Sequence, residues 1–389
     1  MANTTRVTEG TGAAGGVAVA ERVAAAHSLW LSALPTIRRA PIGDLLPQLL
    51  GSDELEPLTE PMAAPAVTVV DAITAAHGPI SDLAVSPDGR HLVAAHYGED
   101  VVSIIDTSTL SVTATVEGVS EPYAVAIADR AYVSSTSASY DSVMAIDTKT
   151  GAALAARPVA MTTGGLAVSP AGDVLYVGRT GDEIADIAAI DTESGEFEVI
   201  DISAARGSSV EALRISADGT RLFAALTTAS GGALVVIDTK TGAAEHTVAL
   251  GGSIGDITVH PSGRKVFATG WDAELGGVLH VIDTAAGRLT DTIAVGGLPT
   301  QLVLGHGGNT AYIVDHDEIV VVCTRTNDIL ESIAIDGQLS CLAASADGGR
   351  LYVADYAGGV TVLSLGAAAD SQLLELMTAE LPQLAAAAS

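Results

Sequence analysis

The amino-acid sequence predicts an all-β protein: a closed seven-bladed β-propeller of four-stranded blades, with short helical extensions at both ends. Three observations lead there. The segment from Leu83 to Thr107 recurs in weakened form to the C-terminal region. Each copy consists of short β-rich runs separated by turn clusters, and the strand missing from the last copy is found ahead of the first.

Seven copies align on the short triplet that opens each one. The anchors are Ala84, Ala126, Ala167, Arg214, Thr258, Val303 and Ala343, with steps of 42, 41, 47, 44, 45 and 40 residues. A period of about 40 to 45 residues without 3.6-residue periodicity is that of a propeller blade. In each copy the first strand, A, ends in a turn such as Ser86-Pro87-Asp88-Gly89, Ser169-Pro170-Ala171-Gly172 or Ser216-Ala217-Asp218-Gly219. There Pro presets φ and Gly accepts a positive φ. Strand B carries a bulky residue at one equivalent position: Val93, Tyr132, Tyr176, Phe223, Phe267, Tyr312 and Tyr352. Six of the 13 aromatic residues thus fall in a single structural ring, which marks them as core. Strand C ends in Ile-Asp-Thr at 105–107, 146–148, 190–192, 237–239 and 282–284, and the turn to strand D follows.

The seventh copy runs out of strands after Leu365, whereas Ala66 to Ile73 matches the other D strands and precedes the first A strand. Pairing the two closes the ring and removes two open sheet edges. The expected organisation is therefore a helical extension and linker over 1–65, the propeller over 66–365, and a C-terminal helix and tail over 366–389. Val19, Val23, His27, Trp30, Leu31 and Leu34 make one apolar helical face, and Leu373, Leu374, Met377 and Leu381 a second. These helices are expected to dock on the propeller or on a partner.

The strand and turn pattern "SPDG…LYV…VIDT", together with the loop Val295 to Pro299 (VGGLP), resembles the YVTN-family propellers, bacterial and archaeal relatives of the WD40 class. The resemblance spans 66–365 and implies the fold. It implies no single activity, because members range from surface-layer proteins to parts of redox enzymes.

Composition narrows the function. Lys and Arg number 18 against 47 Asp and Glu, a formal charge of −29, with no basic run. Nucleic acid and anionic membrane surfaces are thereby disfavoured, and no apolar stretch is long enough for a membrane span. A basic start followed by an unbroken apolar region is also lacking, so a cytoplasmic location is expected. Two cysteines build no disulfide framework, and Cys323 and Cys341 are expected to be reduced and buried.

Local motifs mostly read as architecture. The glycine-rich Gly10 to Gly15 matches a dinucleotide-site pattern but follows no strand and opens no βαβ unit, so no nucleotide is assigned. The five Asp residues of the Ile-Asp-Thr motifs are expected to cap the turns between strands C and D. Cys323 holds the equivalent place in the sixth copy. Function is expected on the face shared by the D-to-A and B-to-C loops, where the sequence departs from the repeat. Tyr97, Tyr123, Trp271, His316 and Tyr356 lie there among many acids, and Asp82, Glu211, Asp256 and Gln301 open their A strands near the central channel. The reading is a non-catalytic binding platform for a protein or a basic ligand, with no cofactor and no assigned catalytic or metal-binding residue. The alternative is a divalent-cation-assisted hydrolase or lactonase in which Asp82, Glu211 and Asp256 hold the ion.

Overall fold

The computed structural model describes residues 66–75, 77–137, 141–203 and 206–366. Within them lie seven four-stranded antiparallel sheets, one for each repeat. The expected helices around Val17 to Leu34 and Leu373 to Leu381, and the glycine-rich Gly10 to Gly15, lie outside the described residues. Among the described residues no helix is long and apolar enough to cross a membrane.

Blade 1 shows the plan: strands A to D are Ile80–Val85, His91–His96, Val101–Asp106 and Ser111–Glu117, paired in that order. Strands B and C are buried almost throughout, whereas the outermost strand alternates between exposed and half-buried positions. This is the patterning of a sheet whose faces pack on neighbouring blades and whose outer edge meets water. The core accordingly lies between blades. Val93, Val102 and Ile104 of blade 1 form one apolar cluster with Val125, Val133 and Ile146 of blade 2. The bulky strand-B positions Val93, Tyr132, Tyr176, Phe223, Phe267, Tyr312 and Tyr352 are all at most 5% exposed, so they are core. Each large side chain contributes about 1.5–3 kcal/mol by burial.

The chain ends meet in blade 7. Its sheet orders Val67–Thr74 beside Gly359–Leu365, then Arg350–Asp355 and Leu339–Ala344, with Val67 opposite Leu365 and Thr74 opposite Gly359. The N-terminal strand therefore completes the last blade, as the sequence predicts.

Two turn motifs are joined by hydrogen bonds. Ser86 Oγ accepts the His91 N–H and donates to Asp88, which in turn accepts the Arg90 N–H. The Ile-Asp-Thr aspartates cap their turns: Asp106 accepts the N–H groups of Ser108 and Thr109, and Asp283 those of Ala285 and Ala286. The following Thr reaches back to the A-to-B turn. Thr192, Thr239 and Thr284 donate to the carbonyls of Gly172, Gly219 and Gly263 at 2.8, 2.7 and 2.7 Å. The two motifs recur together because each satisfies the other's backbone. Cys323 and Cys341 are free thiols, both buried.

Candidate functional site

The B-to-C and D-to-A loops share one face of the ring. The Val119 N–H donates to the Asp100 carbonyl, Thr136 to Ser120, Leu339 to His316, and Tyr356 to Gln338, each joining one loop type to the other. Every A strand begins on this face, and there it breaks register with strand B. The breaks fall between Ile80 and Asp82, Pro122 and Val125, Thr163 and Leu166, Val210 and Ala212, Ile254 and Ile257, Pro299 and Leu302, and Leu339 and Cys341. Bulges of this kind re-aim side chains. Here they generate two successive layers at the mouth of the channel. The outer layer is Ser81, Tyr123, Gly164, Glu211, Gly255, Thr300 and Ser340, and the inner one is Asp82, Ala124, Gly165, Ala212, Asp256, Gln301 and Cys341.

The inner layer ties blades together. Asp82 Oδ2 accepts the Val125 N–H of blade 2 at 2.8 Å, Asp256 Oδ2 the Leu302 N–H of blade 6 at 3.3 Å, and Gln301 Oε1 the Leu342 N–H of blade 7 at 2.7 Å. These are equivalent bonds to the equivalent N–H of the next blade. Gln301 also donates from Nε2 to Asp82 Oδ1 at 2.9 Å, so it spans blades 6, 7 and 1 across the closing blade. Where the inner layer has Gly165, blade 4 comes so near that a Cβ would strike the backbone at Ala212 and Leu213. A side-chain tie is replaced there by direct backbone approach.

Below the inner layer the cavity is 300 Å³ and is lined by residues of six of the seven A strands. Arg214 rises from its own anchor position to Asp256, donating from Nη2 to Oδ1 at 2.8 Å and from Nη1 to the Leu213 carbonyl at 2.9 Å. Burial pushes the Asp82 carboxyl up to about 6, against the lowering effects of the Val125 N–H, Arg214 and Gln301; Asp256 adds to the rise. Asp256 is also raised by burial, with Arg214 opposing. Burial, then Asp82, raises the Cys341 thiol. Tyr123 keeps 51% of its surface open yet sits within the funnel. Burial there pushes its phenol up to about 12, and Glu211, Asp82, Tyr356 and Asp256 contribute in that order. Tyr356, 41% exposed, overhangs from the B-to-C loop of blade 7.

The structure therefore brings Asp82, Tyr123, Glu211, Asp256, Gln301 and Tyr356 to one mouth. Glu211 stands in the outer layer, exposed and bonded to Ser209, and its neighbour Ala212 holds the place equivalent to Asp82. The other three expected residues lie elsewhere on the face. Trp271 is within a strand, Lys265–Asp272, half-buried and opposite Ser253 and Gly277. Tyr97 is half-buried with its hydroxyl enclosed and without a hydrogen-bond partner. His316 is exposed at φ 59° and bonds through Nδ1 to Asp315 Oδ1 at 2.7 Å. Asp315 also accepts the Leu298 N–H at 2.7 Å. Its carboxylate fills the space a Cβ would need at Gly297, which sits at φ 51° and explains the second Gly of the VGGLP loop.

Sequence reasoning missed Arg214, although a cation at a channel anchor is conspicuous in a chain with 18 Lys and Arg. Among the described residues no three His, Cys, Asp or Glu groups are placed to hold a metal ion.

This ring of seven blades, closed by its own N-terminal strand, agrees with the comparisons. The chain belongs to a family of seven-bladed beta-propeller proteins that has members in mycobacteria. It is 36% identical over 320 residues to the seven-bladed beta-propeller protein Rv1057 of Mycobacterium tuberculosis, covering 73% of this chain and 81% of that one. It is 42% identical over 143 residues to a seven-bladed beta-propeller protein of Mycolicibacterium smegmatis, 37% of this chain and 39% of the relative. No family model matches the chain. Among solved structures, a chain of the Kuenenia stuttgartiensis hydrazine synthase superposes with a TM-score of 0.67 at 21% identity, covering 75% of this chain and 97% of that one. At that identity the likeness is one of fold alone.

Proposed function

We propose that the protein is a non-catalytic binding platform of the YVTN type, whose loop face engages a protein or basic ligand at the channel mouth. The observation that carries this is the pairing of two half-open tyrosines, Tyr123 and Tyr356, with carboxylates whose inward oxygens are already engaged. Asp82 accepts from Val125, Gln301 and Leu83, and Asp256 from Arg214 and Leu302. A carboxylate committed to blade ties is rigidly placed, which suits recognition and leaves few oxygens to complete the coordination shell of a divalent metal ion. The acidic charge of the chain steers a basic partner toward the face at low salt.

The test is capture of partners from source-cell extract with wild-type bait and with Tyr123→Ala/Tyr356→Ala bait of unchanged stability. Exposed tyrosine anchors contribute about 2 kcal/mol or more when buried at an interface, so the double variant should lose its partners. Equal capture by both baits would reject the reading, as would a turnover abolished by chelator.

A further inference from the structure

The channel mouth is layered by chemistry as well as by position. Outermost stand the rings of Tyr123 and Tyr356 with the exposed Glu211 carboxylate. One residue deeper is Asp82, and the cavity beneath is walled largely by the methyl-bearing anchors Ala84, Ala126, Ala167 and Ala343. Arg214 is anchored two residues deeper along strand A on the blade 4 side, but its guanidinium reaches back to the acid layer, where it donates to Asp256 at 2.8 Å. The Thr300 hydroxyl, in the outer layer, is buried and has no partner among the protein groups.

An occupant entering from the loop face therefore meets aromatic surface first, then a layer in which Asp82 has no cation bonded to it while Asp256 is paired with Arg214. Aromatic rings favour a cation or a methylene stem at the entrance. Asp82 favours positive charge at the second layer. Arg214, held on Asp256, opposes positive charge that spreads toward the blade 4 side, and a guanidinium carries its charge on a broad plane where an ammonium concentrates it at one atom. From this order we infer that the mouth accepts a single unbranched primary ammonium group, such as a protruding lysine side chain of a basic partner. The four methylenes lie against Tyr123 and Tyr356, and the ammonium donates to Asp82. This rests on the binding-platform reading and specifies the chemical group that the platform takes.

The inference carries a pH signature. The groups facing Asp82 are the Arg214 guanidinium, the Asp256 carboxylate, the Cys341 thiol, the Tyr123 phenol and the Gln301 amide. A bound ammonium favours ionised Asp82, so binding displaces its proton. With that carboxyl at about 6, about a tenth is ionised at pH 5 and nearly all at pH 7.5. Affinity should thus fall roughly tenfold between pH 7.5 and pH 5.

The experiment titrates the full chain with N-acetyl-lysine methylamide by calorimetry and ligand-observed NMR, beside the norleucine and arginine analogues. Saturable binding of the lysine probe is expected, with the norleucine and arginine probes at least tenfold weaker. Tyr123→Ala should weaken it about tenfold and Glu211→Gln severalfold. The second variant changes an exposed group and keeps the test valid if the first misfolds. Equal binding of the norleucine probe, or affinity that does not change with pH, overturns the inference. If the lysine probe fails to bind while the Tyr123→Ala/Tyr356→Ala bait still loses its partners, the ammonium inference falls and the platform reading stands. If the probe binds while capture is unchanged, the ammonium site stands and the platform reading falls.

Discussion

Replacing Gln301 with Ala should loosen the ring at its closing blade, because this one amide holds three blades. Its Oε1 accepts the Leu342 N–H at 2.7 Å and its Nε2 donates to Asp82 at 2.9 Å. Blade 7 is assembled from both chain ends, so on its outer side it relies on the ladder between Val67–Thr74 and Gly359–Leu365. On its inner side Gln301 is the strap. Losing a hydrogen bond to a carboxylate costs about 1.5–3 kcal/mol, and leaving a buried N–H unpaired about 1–3 kcal/mol. Channel water recovers part of both, since Gln301 is half-buried, so the net loss should be about 2–4 kcal/mol at neutral pH. Removing the Gln301 donor also withdraws one of the influences that lowers the Asp82 carboxyl, which should then titrate above about 6. The assay is equilibrium urea denaturation of wild type and Gln301→Ala at several pH values, with Gln301→Met as a volume-matched control. A loss below about 0.5 kcal/mol in both variants, with an unchanged pH profile, would refute the strap.

Further outcomes follow from the same geometry. Asp82 is held at about 6 against an ordinary 3.8, so the folded state keeps a proton that the unfolded chain has released. Its contribution is greatest below pH 3.8 and is lost as pH rises through about 6, an effect of at most about 3 kcal/mol. Asp82→Asn should flatten that descent in denaturation curves between pH 4 and 7, and a profile identical to wild type would contradict it. Thr284→Val should cost about 1–2 kcal/mol, because the buried Thr284 hydroxyl is the donor to the carbonyl of half-buried Gly263, and thermal unfolding reads it directly. Gly297→Ala places a Cβ on the Asp315 carboxylate at a positive φ and should lower the melting temperature, whereas Gly98→Ala, in open space, should do so less. A chain beginning at Pro79 lacks the outer strand of blade 7 and should aggregate and lose cooperative unfolding, while one beginning at Pro61 keeps it; calorimetry separates the two.

The ring was legible because every blade must solve the same local problem. The Ser-Pro-Asp-Gly turn, the strand-B aromatic and the Ile-Asp-Thr turn each satisfy backbone groups within a blade or fill a space between two blades, and so they recur. The closing strand was legible for a related reason: Ala66 to Ile73 carries the D-strand pattern in the wrong place for any other use. The mouth was legible only in part. Asp82, Asp256 and Gln301 stand out as polar residues at positions filled elsewhere by Ala, Gly or Cys, but the spacing alone does not show that each reaches the next blade's N–H. Glu211 groups with them as an acid opening its A strand, although it stands three residues before its anchor Arg214 where Asp82, Asp256 and Gln301 stand two before theirs. Trp271 looked like a loop residue because strand B of blade 5 runs two residues beyond that of blade 1.

The carboxylates of the mouth illustrate how a repeat acquires a site. In blades 2, 3 and 4 the inner-layer residue is Ala124, Gly165 or Ala212, which offers no side chain to the neighbouring N–H, and at Gly165 the backbones close together. Blades 1, 5 and 6 use Asp82, Asp256 and Gln301 at the same place, and the ring is tied there by charge and amide. The two solutions are equivalent for closure but not for recognition: the first leaves a small-residue wall, the second a polar one, on opposite parts of the same channel. Arg214 then neutralises Asp256, while Asp82 has no cation bonded to it and is pushed toward its neutral form by burial. A carboxyl held so far from its usual range is a cost to the folded ring that Asn or Gln at the same position would avoid. Asp82 lies one layer below Tyr123 of the next blade, so the cost falls where the proposed ammonium would reverse it.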